Sequence, residues 1–273
     1  MKKKSNIFNF KPKKHLGQNF LKNKKIALKI VSYLEIADNE IIIEIGAGKG
    51  ELTEFLLEKT SLKKSSKIIA IEKDKILCEI LKEKFKNYSN SEILNSDILK
   101  INPQQLGLKN NNYKVIGNIP YYLTGKLLQE LLENWPKSKK IILMLQKEVA
   151  LKITANKKRS FLTNITQLLA STRILMKVDK KNFYPQPKVD SMVVEFIPYF
   201  KKPKKFEKLK KILKAGFSHP RKYLITNLIK ELNLDRNKIS KIFEKLNLDL
   251  KIRAEDLKLG DWQLLTNHLD SML

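Results

Sequence analysis

Residues 41–59 read IIIEIGAGKGELTEFLLEK: a strand-like apolar run, glycines at 46, 48 and 50, then a helical pattern. Glycines at such a junction let the backbone turn sharply and approach a ligand without side-chain clash. The alternation continues along the chain. Strand-like runs recur as KIIAIE at 67–72, SEILNSD at 91–97, KVIG at 114–117 and KIILML at 140–145, with helical patterns such as DKILCEILKEKF at 74–85 between them. Strand alternating with helix at steps of roughly 25 residues predicts a parallel sheet with helices on both faces. After a further helix around Phe161–Ala170 come STRILMKV and SMVVEFIP, separated by a short loop. A loop that short rules out a parallel crossover, so the two runs are expected to pair as an antiparallel hairpin at the sheet edge. The predicted fold is α/β and Rossmann-like, with a mostly parallel seven-stranded sheet.

The composition shifts near YFKKPKKFEK, residues 199–208, and from Phe206 onward only helical patterns appear, among them KYLITNLIKEL and DRNKISKIFEKL. Amphipathic periodicity with short breaks predicts a small all-α domain over 201–273, after a first domain at 1–200 that opens with a basic arm, residues 1–14. Lys and Arg number 55 against 28 Asp and Glu, a formal net charge of +27, which calls for a polyanionic partner. Nucleic acid fits that excess better than a membrane does. No apolar run is long enough for a signal peptide or a bilayer span, and Cys78 is the only cysteine. The three histidines, His15, His219 and His268, lack ligand spacing, so no metal site is expected. The sequence reads as a soluble cytoplasmic protein, acting as a monomer.

Three ligand readings compete at GAGKGEL. A Walker A loop needs another spacing and a Ser or Thr after the lysine. A dinucleotide fingerprint wants glycine at 51, where Glu51 stands. The remaining pattern, G-x-G-x-G with Gly46 and Gly48 at its head, resembles the S-adenosylmethionine loop of parallel-sheet methyltransferases, whose cofactor has no phosphate to cradle. Glu72 ends the next strand, placed to accept hydrogen bonds from both ribose hydroxyls, and Asp97 ends the third, placed to accept from an adenine amino group. The fourth strand runs into Asn118-Ile119-Pro120-Tyr121. An exocyclic adenine amine is a poor nucleophile because its lone pair is delocalised into the ring. An Asn side-chain oxygen and a backbone carbonyl accepting its two N–H bonds favour a pyramidal nitrogen aimed at a methyl group. Pro120 stiffens that turn, and Tyr121 offers a face for an extruded base to stack on.

KKHLGQNFL (13–21), EIGAGKG (44–50), NIPYY (118–122), FYPQPKVDS (183–191), FSHPRK (217–222) and RAEDL (253–257), with IEKDK and NSDIL between, resemble the small-subunit (16S) ribosomal RNA adenine dimethyltransferase family in order and over nearly the whole chain. The resemblance implies a class I methyltransferase that transfers two methyl groups to each of two adjacent adenosines near the 3′ end of small-subunit rRNA, with a role in ribosome biogenesis. It implies cofactor contacts at Asn19 and Leu21 beside Gly46, Glu72, Asp97 and Asn118, and a second wall of the base pocket at Phe183. It also implies RNA contacts at Arg221 and Lys222, although Pro220 stands where the family commonly has a further arginine. Two other readings share parts of this pattern. A large-subunit rRNA adenine methyltransferase conferring antibiotic resistance has the same cofactor loop and Asn-x-Pro-Tyr, but RAEDL and HLGQNFL favour the small-subunit enzyme. A non-catalytic RNA-binding assembly factor would not need Asn118, Glu72 and the glycines together.

Overall fold

The computed structural model describes residues 11–13 and 16–270, so most of the basic arm and His15 lie outside the described residues. The strands are β1 (Phe20–Leu21), β2 (Ile41–Ile45), β3 (Lys67–Glu72), β4 (Ser91–Asn95), β5 (Tyr113–Asn118), β6 (Lys140–Gln146), β7 (Ala170–Val178), β8 (Phe183–Tyr184) and β9 (Ser191–Pro198). The α-helices are α1 (Lys24–Ser32), α2 (Thr53–Ser61), α3 (Lys75–Lys84), α4 (Thr124–Gln129), α5 (Lys147–Ile153), α6 (Phe161–Leu169), α7 (Phe206–Gly216), α8 (Leu224–Leu232), α9 (Arg236–Lys245) and α10 (Leu259–Leu269). The described residues form a seven-stranded sheet in the order β4-β3-β2-β5-β6-β9-β7. The five strands β4, β3, β2, β5 and β6 run parallel, and β9 is antiparallel to β6.

Continuous isoleucine-rich runs form these strands because helices leave neither sheet face to water. Ile42, Ile43, Ile68, Ile69, Val115, Ile116, Ile141 and Ile142 have no exposed surface. Helix starts are set locally: Asn23 caps α1 by accepting from the Ile26 amide, and Asp74 caps α3 by accepting from the Ile76 amide. The strand order reverses between β2 and β5. β2 leads outward to β3 and β4, while β5 leads the other way to β6, which opens a crevice at their carboxyl ends. A two-stranded ribbon, β1 antiparallel to β8, joins the residues that follow the basic arm to the FYPQP segment.

The chain divides into two compact units. One runs up to Ala150 and takes in Ser171–Pro198; the other comprises Leu151–Ala170 and the described chain from Tyr199 onward. In the second unit Ser160 and Thr163 form a capping box at the start of α6, and Lys158 pairs with both Glu255 and Asp256 of RAEDL at 3.0 Å. Trp262 is fully buried and stacks on Phe217 at 5.6 Å, in space left by Gly216, where a Cβ would meet the indole at 2.5 Å. No described helix is long and apolar enough to cross a membrane.

Candidate active site

The register Ile45↔Gly117 sets the two central strand ends level, so Gly46 and Asn118 emerge side by side. Gly46 adopts φ +71°, and a Cβ there would stand 3.3 Å from the Asn118 carbonyl oxygen. Gly48 adopts φ +61°, with the Phe20 ring 3.2 Å from where its Cβ would be. Both positions therefore demand glycine on conformation, and a side chain at either would crowd its neighbours. Beside them is a cavity of about 260 Å³ lined by the glycine loop, the segment 16–21, the ends of β3 and β4, and residues 118–123.

Glu72 is 7% exposed and is gripped by backbone amides: Gly48 N donates to Oε2 at 2.9 Å and Asp74 N to Oε1 at 2.8 Å. Burial pushes its carboxyl up, against those amide hydrogen bonds, which favour the charged form. Each oxygen keeps a lone pair for a further donor. Asp97 accepts from the Leu99 amide at 3.1 Å and pairs with Lys73 at 2.9 Å; the Lys73 hydrogen bond holds it below the usual carboxylate range. Glu44, in the same lining, accepts from Thr53 Oγ1 at 2.7 Å, and burial pushes it up to about 8.

Asn118 Nδ2 donates to the Asn19 carbonyl at 2.9 Å. Only the NH₂ end of an amide can face a carbonyl, so this bond fixes the side chain and leaves Oδ1 as an acceptor. Pro120 follows, and its own carbonyl accepts from Leu123 N at 2.9 Å. Tyr121 lies in the next turn, half-buried, with its hydroxyl 3.0 Å from Ser191 Oγ. Burial pushes its phenol up.

Asn19, Leu21, Gly46, Gly48, Glu72, Asp97, Asn118, Pro120 and Tyr121 all line the one cavity. Phe183 does not. It is 2% exposed, paired with Leu21 across the ribbon and packed into the core of the sheet unit. Its neighbour Tyr184 carries the exposed ring, at 58%. Arg221 and Lys222 are exposed between α7 and α8 in the second unit. Sequence reasoning missed Gln18 and Asp74, which fasten the segment over the cavity: Asp74 Oδ2 takes the Lys13 ammonium at 2.8 Å and Gln18 Nε2 at 3.2 Å. It also missed Ser191, although that residue closes the FYPQPKVDS motif.

The family model described as ribosomal RNA adenine dimethylase matches residues 9–270. The chain belongs to this family. Among similar dimethylases and methylases, the ribosomal RNA small subunit methyltransferase A of Mesomycoplasma hyopneumoniae is 41% identical over 252 residues, covering 91% of this chain and 92% of that one. The protein of the same name in Clostridium botulinum (strain Okra) is 34% identical over 275 residues, 98% of each chain. The crystal structure of a dimethyladenosine transferase from Plasmodium falciparum superposes with a TM-score of 0.76 at 26% identity, over 92% of this chain and 98% of that one. The dimethylase family thus spans both compact units of the protein.

Proposed function

We propose that the protein uses S-adenosylmethionine to dimethylate the N6 amino groups of two adjacent adenosines near the 3′ end of small-subunit 16S rRNA. It acts as a monomer in the cytoplasm, during assembly of the small subunit or its precursor. The observation that carries this reading is the adjacency of the Gly46–Gly48 turn and Asn118 at the strand-order reversal, with one Asn118 oxygen held open. The cavity suits the cofactor: two glycines leave a cradle that side chains would fill, and Glu72 and Asp97 supply acceptors for ribose hydroxyls and an adenine amine. When bound, the cofactor supplies an electrophilic methyl group on a sulfonium sulfur.

The chain's own residues then orient the nucleophile. Asn118 Oδ1 accepts one N–H of the target amine. The Ile119 carbonyl, between Asn118 and Pro120, is the backbone acceptor for the second, the Pro120 carbonyl already accepting from Leu123 N. Two acceptors drawing on one amine favour a pyramidal nitrogen with its lone pair toward the methyl group. Tyr121 stacks on the base. After transfer the nitrogen is acidic enough to lose its proton to water, so no general base is required. The monomethylated amine retains one N–H for the second round. The net charge of +27, with Arg221 and Lys222 on the helical unit, supports binding to the phosphate backbone.

Glu72→Ala is expected to weaken cofactor affinity about ten- to a hundredfold, the loss of a charged acceptor being worth roughly 1.5–3 kcal/mol. The substitution also strands the Gly48 and Asp74 amides, so the glycine turn loosens with it. Calorimetric titration with S-adenosylhomocysteine measures this, and unchanged affinity in a folded variant would contradict the role. The activity itself is tested by transfer of label from S-adenosylmethionine to small-subunit RNA, with large-subunit RNA as the comparison.

A further inference from the structure

Stacking needs only the face of a ring, and phenylalanine would serve. The hydroxyl of Tyr121 is therefore unexplained by the proposed activity, yet it has a specific partner. Ser191 Oγ lies 3.0 Å away, on a residue with no exposed surface at the first position of β9. β9 is tied into the sheet there, with Ser191 opposite Gln146 of β6 and the Lys147 amide donating to the Asp190 carbonyl at 2.9 Å. The other end of Tyr121 is held as well: Thr124 Oγ1 donates to its carbonyl at 3.0 Å. Among the described residues no aromatic neighbour stacks on the ring. The long axis of the ring is thus anchored by the backbone at one end and by Ser191 at the other.

We infer that Ser191 is a positioning residue for methyl transfer, its hydroxyl fixing the Tyr121 ring as the platform on which the adenine base lies. The inference rests on the proposed adenine methylation. A ring tethered at both ends holds N6 at one height above the Asn118 acceptor; an untethered ring swings about its side-chain torsions and spreads the base over many poses. Small displacements of that kind slow a reaction whose rate depends on alignment, without loosening the RNA. The second transfer suffers most, because the monomethylated amine has only one N–H left to steer it.

The test is a cycle of Ser191→Ala, Tyr121→Phe and the double variant. Each is assayed for single-turnover transfer at saturating RNA and cofactor, with both methylated nucleosides scored by mass spectrometry and RNA affinity measured in parallel. Each single variant is expected to slow transfer about three- to tenfold, the range of one ordinary hydrogen bond. The double variant should be no slower than the slower single one, since both remove the same bond. RNA affinity should be unchanged and the mono- to dimethyladenosine ratio should rise. A wild-type rate in Ser191→Ala, losses that multiply in the double variant, or RNA affinity falling in step with rate would each overturn the inference. If Ser191→Ala fails to fold, Tyr121→Phe decides alone, and a wild-type rate there overturns it. Wild-type protein that makes no dimethyladenosine defeats the activity and the inference together, whereas an active wild type with indifferent variants defeats only the inference.

Discussion

Asn118→Ala is expected to lower single-turnover methyl transfer by roughly a hundredfold or more, the scale on which a preorganised hydrogen-bonding partner of the reacting group acts. RNA affinity should stay within about twofold, because it comes mainly from phosphate contacts away from the cavity. The amide has two separate duties. Its Nδ2 holds the Asn19 carbonyl at 2.9 Å, and its Oδ1 is the acceptor for the target amine. Alanine ends both, so the segment 16–19 loses its tie to β5, and the assay must be run at saturating cofactor to isolate the second duty. Transfer near the wild-type rate under those conditions would mean that this strand end is only a turn.

A stability loss of about 3 kcal/mol or more is expected for Glu40→Gln, as for one partner removed from a buried ion pair. Glu40 lies at the opposite edge of the sheet from the cavity and is 2% exposed. Its carboxylate takes Lys114 Nζ and Lys139 Nζ, each at 2.8 Å, and the Ala37 amide at 2.9 Å. Lys114 is itself buried inside β5 and donates to the Glu35 carbonyl, so without Glu40 a buried ammonium loses the carboxylate it is paired with. Burial pushes the Glu40 carboxyl up, but the Ala37, Lys114 and Lys139 hydrogen bonds outweigh it and hold the group below the usual carboxylate range. A carboxylate depressed by folding contributes its stability above the ordinary pKa of glutamate, and that contribution fades as pH falls through the folded value. The gap between wild type and Glu40→Gln should accordingly be widest at neutral pH and narrow on acidification. Urea unfolding followed by circular dichroism measures it; equal midpoints at neutral pH would show that the pair contributes nothing.

Much of the site was legible because a parallel sheet delivers strand ends to one edge. Once IIIEI, KIIAIE, SEILN and KVIG are taken as parallel strands, Gly46, Glu72, Asp97 and Asn118 must converge, and they do. The central strands were legible for the reason that they are buried on both faces and so read as nearly continuous apolar runs, whereas SEILN, half-exposed at the sheet edge, is marked by its place in the alternation. What was not legible depends on contacts distant in sequence. The β1–β8 ribbon pairs residues about 160 apart through two-residue strands, too short for any periodicity to register. That pairing decides which ring of Phe183-Tyr184 turns into the core, and the motif alone cannot. Leu151–Ala170 reads as a loop and helix continuing the first domain; its place with the C-terminal helices depends on partners such as Glu255, about a hundred residues later. Lys114 reads as an anomaly inside a strand until Glu40, 74 positions earlier, is known to face it. Ser191 looks like the polar start of an edge strand, and only the fold brings it to Tyr121.

The central claim is that this cavity dimethylates adenosine in small-subunit RNA, and nucleoside analysis tests it most directly. Small subunits lacking the modification are incubated with the protein and labelled S-adenosylmethionine, the RNA is digested, and the labelled nucleosides are separated. The expected result is N6,N6-dimethyladenosine at two adjacent positions near the 3′ end, absent when Asn118→Ala replaces the wild type. Label confined to large-subunit RNA, or no labelled adenosine from folded protein that binds the cofactor, would contradict it.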